Sequence, residues 1–337
     1  MLIPRSGYCF VTTCCLIFLL VAGTVHAEQV VVYSARIEQL IKPMFDAFTE
    51  DTGIEVKFTT DKEGALLARL KAEGKNTPAD MLITADAGNL WEAARTGLLK
   101  PVNSKILEAN IPAHLRDPRN QWFGLSVRAR TIVYNTQKVK PADLSTYENL
   151  ANPEWKNRLC LRTSKKVYNQ SLVAMMIAEH GEAETEKIVR GWVRNLATDP
   201  LSDDTRAMEF VAAGRCDVTL VNTYYYGRLM KKEPDLPLAI FWPNQMNSGV
   251  HVNISGAGIT QHSRNERAAI KLLEFLSSNK AQNLFADINM EYPANPAVAP
   301  DPTVATWGGF KQNSMNVATA GELQAAAVKL MDRVGYR

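Results

Sequence analysis

The sequence holds little of the chemistry that marks an enzyme. There is no Walker loop, no HExxH, no CxxC and no Gly-x-Ser-x-Gly elbow, so these phosphate-binding, zinc, redox and hydrolase signatures are excluded. Histidine is scarce, and His114, His180, His251 and His262 lack the i, i+4 pairing of a helical zinc site. Excess charge is also missing. With 38 Lys plus Arg against 35 Asp plus Glu, the formal net charge is +3, and without a basic stripe nucleic acid is not a natural partner. Low-complexity tracts, internal repeats and Gly/Ser linkers are absent, so any two lobes must be joined by ordered strands.

Cysteine is sparse but informative. Three of the five, Cys9, Cys14 and Cys15, lie in the first 27 residues. That stretch reads as a secretory signal, residues 1–27. Arg5 supplies the positive start, Cys9 to Val21 is almost wholly apolar, and Val25-His26-Ala27 gives the small-residue cleavage pattern. The apolar run falls short of the roughly 20 residues of a spanning helix. No cysteine follows at the cleavage point, which argues against a lipoprotein. The expected mature chain starts at Glu28 and works in the periplasm. There, Cys160 and Cys216 are expected to form a disulfide, because each opens a predicted strand and neighbouring strands lie within bridging distance. Two buried thiols are the alternative.

The remaining length, about 310 residues, exceeds one comfortable core and predicts two domains. Val30–Tyr33, Ile54–Phe58 and Asp80–Thr84 read as strands. Between and after them lie helical patterns marked by Leu40, Ile41, Met44, Phe45 and Phe48, by Leu66, Leu67 and Leu70, and by Leu90, Trp91 and Ala94. That alternation predicts a largely parallel sheet covered on both faces. A second cycle follows: strand Leu159–Arg162, helices Gln170–Glu179, Glu184–Leu196 and Thr205–Ala213, then strand Val218–Val221. Leu125–Asn135 and Val250–Ile259 read as crossover strands of a hinged, two-lobed α/β binding protein. The expected lobes are 28–127 with 253–303, and 128–252 with 304–337.

At the end of the Val218–Val221 strand stand three consecutive tyrosines, Tyr224, Tyr225 and Tyr226, and the helix is expected to open at Gly227. Ligands of open α/β sheets collect beyond the carboxyl ends of strands. Side chains about 100° apart cannot all enter one core, so at least one tyrosine must face a cleft, solvent or a partner.

Several segments then carry a resemblance: Val32-Tyr33-Ser34-Ala35-Arg36, Pro78-Ala79-Asp80-Met81, Trp122-Phe123-Gly124, Arg128-Ala129-Arg130 with Tyr134-Asn135, Tyr168-Asn169-Gln170-Ser171-Leu172, Asn222-Thr223-Tyr224-Tyr225, Phe241-Trp242-Pro243-Asn244-Gln245 and His251-Val252-Asn253-Ile254-Ser255-Gly256. In consistent order from about Val30 to the C-terminus, the chain resembles the ferric-ion-binding periplasmic proteins of bacterial ABC transporters, the bacterial transferrin-like family. The resemblance implies two α/β lobes with Fe³⁺ in the cleft, an inner-membrane ABC permease as partner, a monomer and no enzymatic activity. It assigns Tyr168, Tyr224 and Tyr225 as metal ligands and leaves Tyr226 as packing or cleft wall. It places an arginine of the Arg128/Arg130 segment beside metal and anion, Arg130 being preferred, with Arg36 as a further candidate contact. Many relatives carry histidine, or histidine then tyrosine, where this chain has Ile37 and Glu38. Ile37 cannot ligate; Glu38 is a candidate oxygen donor, or a favourable partner of the helix dipole.

The chemistry of the implied ligands is consistent. Fe³⁺ is hard and prefers anionic oxygen to thiolate. Three phenolates balance its charge, their displaced protons couple affinity to pH, and an arginine fork suits a synergistic anion such as carbonate. The rivals are a cleft for a polyamine, thiamine or an oxyanion, and an extracytoplasmic metalloenzyme, for which no general acid/base pair stands out.

Overall fold

The computed structural model describes Met1 and residues 28–337, so the expected signal segment lies, apart from Met1, outside the described residues. The strands are β1 (Gln29–Ser34), β2 (Glu55–Thr60), β3 (Met81–Thr84), β4 (Phe123–Asn135), β5 (Leu159–Cys160), β6 (Val218–Asn222), β7 (Leu238–Phe241), β8 (Val252–Ile259) and β9 (Tyr292–Pro293). They form one curled sheet in the order β2-β1-β3-β8-β4-β6-β5, with β7 and β9 also paired to β4.

The first βαβαβ unit follows the apolar periodicity. β1 runs parallel to both β2 and β3. The helix α1 (Glu38–Thr52) buries Ile41, Met44, Phe45 and Phe48 on one stripe and stops at Gly53, whose left-handed φ of 71° a side chain would resist. The helices α2 (Glu63–Glu73), α3 (Ala87–Arg95) and α4 (Lys105–Asn110) complete this part; Asp86 and Ser104 cap the last two by accepting from backbone N–H groups.

The long strand β4 is the bridge. All of its residues are buried, and its two halves have different partners. Phe123–Ala129 pair antiparallel with β8, while Arg130–Tyr134 pair with β6 and Ile132–Asn135 with β7. One strand therefore belongs to two sheets' worth of packing, as expected for a crossover. The second unit adds α5 (Val167–His180), α6 (Glu182–Asn195) and α7 (Asp204–Ala212), close to the expected spans, and α8 (Thr223–Lys232), which starts before the expected Gly227. The helices α9 (Glu266–Ser277) and α10 (Asn279–Asn289) return to the first unit.

The apolar side chains separate accordingly. One core gathers Val30, Phe45, Leu82, Trp122 and Leu272; another gathers Ile132, Trp155, Trp192 and Leu330. Towards the C-terminus, Val304, Val317 and Ala318 pack with the first core and Ala327, Leu330 and Met331 with the second. Cys160 and Cys216 form the expected disulfide, with Cα atoms 5.8 Å apart. It staples the β5 end to the residues leading into β6, inside a small core with Val133, Val221 and Leu229. Closing a loop of 56 residues stabilises the fold by roughly 4 kcal/mol in the chain-entropy treatment.

Candidate metal centre

The tyrosine run is the first turn of a helix. α8 begins at Thr223, not at Gly227, so Tyr224 and Tyr225 occupy its second and third positions. Asn222 precedes them in an extended conformation, φ −76° and ψ 136°, which turns the chain from β6 directly into the helix. The 100° spacing then separates the three rings. Tyr224 and Tyr225 lie against each other, centroids 4.4 Å apart, while Tyr226 turns away to pack edge-on against Trp307 at 5.7 Å.

Tyr168 comes from a different helix but an equivalent place, the second residue of α5. The Tyr224 hydroxyl donates to the Tyr168 hydroxyl at 3.0 Å, and the Tyr168 and Tyr225 rings are 6.5 Å apart. Two helix N-termini thus deliver three phenols to one point. Helix N-termini carry unpaired N–H groups and partial positive charge, which favours negative charge on nearby oxygens. In the protein as it stands, burial and the neighbouring phenols push Tyr224 well above the ordinary tyrosine range, and burial, with Tyr168 beside it, raises Tyr225 as well. Both are neutral phenols until something displaces their protons.

The opposite wall comes from the turn after β1, from β4 and β8, and from the segment after α10. Arg36, in the turn after β1, and Arg128, on β4, both donate to the Ser255 hydroxyl on β8. Glu291, just beyond α10, accepts from Arg36 at 3.0 Å and lies 3.8 Å from Arg128. Burial alone would raise the Glu291 carboxyl, but Arg36, Arg128 and the Ser126 hydroxyl outweigh it and hold the group at about 2. Between the two walls lies a pocket of about 240 Å³, lined by Arg36, Ile37, Arg128, Tyr168, Tyr224, Tyr225, Arg228 and Glu291 among others. A larger cavity of about 530 Å³ lies behind α8, between Tyr226, Gly227 and Trp307, and has no converging anionic oxygens.

The expected residues are therefore gathered unevenly. Tyr168, Tyr224, Tyr225 and Arg36 meet in the pocket. Arg128 lines the pocket and Arg130 does not. Arg130 is 1 % exposed and committed to Asp204 at 2.6 Å and to Asn169 at 2.7 Å, so it supports Tyr168 from behind instead of facing the cleft. Glu38 is an exposed residue at the start of α1 and does not line the pocket, where its neighbour Ile37 does. Glu291 and Arg228 were not anticipated. Arg228 follows Tyr224 by one helical turn, with its guanidinium 5.1 Å from the Tyr224 ring, a spacing readable in the sequence. Nothing around Glu291 in the sequence marks it.

Phenol oxygens at two helix N-termini, facing a wall of guanidinium groups and a carboxylate beside long crossover strands, define a cleft of the solute-binding kind. The chain belongs to the family of bacterial extracellular solute-binding proteins, which matches residues 43–312. It is 42 % identical over 316 residues to iron uptake protein A1 of Synechocystis, covering 92 % of this chain and 88 % of that one. Among solved structures it resembles the Trichodesmium FutA complex with iron and citrate, with a TM-score of 0.89, 43 % identity and coverage of 92 % of this chain and 100 % of that one. It also resembles the Mannheimia haemolytica ferric iron-binding protein A in an open conformation, with a TM-score of 0.87 and 39 % identity, covering 92 % of this chain and 99 % of that one.

Proposed function

We propose that this protein captures Fe³⁺ in the cleft as cargo, through the phenolates of Tyr168, Tyr224 and Tyr225, and delivers it to an inner-membrane ABC permease. It works as a periplasmic monomer and catalyses no reaction. The lobes that close on the metal are residues 28–127 with 253–303 and 128–252 with 304–337, Val304, Val317 and Ala318 remaining packed on the first core. The observation that carries this reading is the convergence of three phenols at two helix N-termini, with the Tyr168 and Tyr224 hydroxyls 3.0 Å apart and the Tyr225 ring 4.4 Å from that of Tyr224. A core has no use for that arrangement, whereas a hard trivalent cation does.

The balance of charge extends the reading to an anion. Three phenolates cancel Fe³⁺, yet Arg36, Arg128 and Arg228 still exceed Glu291 by two positive charges around the same pocket. A doubly charged oxyanion such as carbonate neutralises that excess and fills coordination positions that three oxygens leave open. The same guanidinium groups repel a polyamine or thiamine. An oxyanion alone would satisfy the arginines and leave the convergence of phenols without a purpose.

Iron competition against a chelator, in degassed and anion-poor buffer and then with bicarbonate restored, tests the anion. Affinity is expected to rise at least about tenfold on restoration. Because Tyr224 and Tyr225 begin protonated, affinity is also expected to fall as pH falls, by up to about a hundredfold per unit for those two displaced protons. Unchanged affinity on adding bicarbonate contradicts the anion. Loss of binding in Glu38→Gln under anion-poor conditions would assign the missing oxygen to that carboxylate instead.

A further inference from the structure

Helix α5 starts at the cleft with Tyr168 and ends in a second cluster of donor groups. Glu179 and His180 form its last turn, and Glu148, in a short 3-10 turn, stands beside them. One ligand atom from each of Glu148, Glu179 and His180 lies within 4.8 Å of the others. Twelve residues of helix at 1.5 Å each put this cluster about 18 Å from Tyr168 along the helix, so it is separate from the cleft.

Three features distinguish the cluster from an ordinary surface ion pair. First, the carboxylates are substantially buried, with side chains 22 % and 15 % exposed, yet neither Glu148 nor Glu179 has a Lys or Arg partner among the described residues. A single imidazole, 2.9 Å from Glu148 and 3.8 Å from Glu179, is their shared basic neighbour. Second, each carboxylate is held from behind by a buried carboxamide. Asn244 donates to both Glu148 oxygens, at 3.3 and 3.2 Å, and Asn313 donates to Glu179; the two amides are 2 % and 7 % exposed. Buried groups that orient a carboxylate are the usual outer support of a metal ligand. Third, the imidazole and Glu148 open onto a surface cavity of about 620 Å³, leaving room for solvent ligands.

We propose that Glu148, Glu179 and His180 form a second metal site, for a divalent first-row transition cation such as Zn²⁺. Two carboxylate oxygens and one neutral imidazole supply three ligands and a charge of −2, which matches the cation; water completes the coordination from the cavity. The nitrogen donor favours Zn²⁺ over Mg²⁺ or Ca²⁺, which prefer oxygen alone. The site rests on these residues and not on the iron reading. The metal would displace the His180–Glu148 hydrogen bond and clamp the end of α5 to the 3-10 turn.

The test is equilibrium dialysis and calorimetry with Zn²⁺ at pH 7.5, on the full-length protein with its cleft already loaded with ferric iron and on the cleft variant Tyr224→Phe. Both preparations are expected to bind one equivalent of Zn²⁺. That equivalent should disappear in His180→Ala and Glu148→Gln. Asn313→Ala, which removes an outer support only, should weaken binding by about 10–100-fold. Substituting Co²⁺ should give a d–d absorption spectrum that His180→Ala lacks. If Zn²⁺ uptake by wild type does not exceed that of His180→Ala, the cluster is a hydrogen-bonded histidine–carboxylate pair and the proposal is wrong. Binding that survives His180→Ala but disappears in Tyr224→Phe would place the zinc in the cleft and equally overturn it.

Discussion

Replacing Tyr224 by phenylalanine is expected to weaken ferric binding by two to four orders of magnitude while leaving the protein folded. The ring stays, so the packing against Tyr225 is kept; the folded state loses the hydrogen bond to Tyr168 and a long one from Asn222, together worth about 1–2 kcal/mol. The bound state loses an anionic ligand and leaves one positive charge of the metal uncompensated in a buried site, which costs on the order of 3–5 kcal/mol. Tyr168→Phe and Tyr225→Phe should behave alike, because their hydroxyls enter the same pocket. Tyr226→Phe is the internal control. Its hydroxyl reaches only the Leu238 carbonyl at 3.4 Å and its ring packs on Trp307, so affinity should change by less than about threefold. Chelator competition on the four variants measures this. If all three ligand variants keep wild-type affinity, iron is held somewhere else.

The second large effect is on stability. Glu291→Gln should destabilise the fold by about 3 kcal/mol at neutral pH, because it leaves Arg36 and Arg128 close together without their buried counter-charge. The pH dependence gives the same magnitude. Glu291 is held at about 2 in the folded protein against an ordinary value of 4.5, so its contribution is complete above about pH 5 and is lost as pH falls towards 2. Urea unfolding of wild type and variant at pH 7 and near pH 2 checks both halves. The gap between the two proteins should be wide at pH 7 and largely closed in acid. A gap that does not narrow in acid would mean that Glu291 acts through shape and not charge.

Much of this was legible in the chain because the informative features were local. The βαβαβ alternation follows from stripes such as Ile41, Met44, Phe45 and Phe48, and most of β4 was read as the strand Leu125–Asn135. The disulfide was expected from two cysteines beside predicted strands, although Cys160 closes β5 and does not open it. What the sequence hid was set by tertiary partners. Arg128 and Arg130 alternate on one face of β4, and their spacing offers no reason to choose between them. The choice is made by Asp204, 74 residues beyond Arg130 in the chain, which captures Arg130 where β4 changes its partner from β8 to β6. Glu291 matters because Arg36, from the turn after β1, and Arg128, from β4, meet it there. The start of α8 was misplaced because three aromatic rings in succession break the apolar period of a helix, whereas the backbone needs only the extended Asn222 before it to begin one turn earlier.

The central claim, that phenolate oxygens from two helix N-termini take Fe³⁺, is tested most directly by the visible absorption spectrum of the purified protein during titration with a ferric salt. A phenolate-to-iron charge-transfer band should grow in proportion to added iron and saturate at one equivalent. It should be lost on acidification, as the phenols recover their protons. A protein that binds one equivalent of iron tightly but stays colourless would contradict tyrosinate ligation, whatever the cleft turns out to hold.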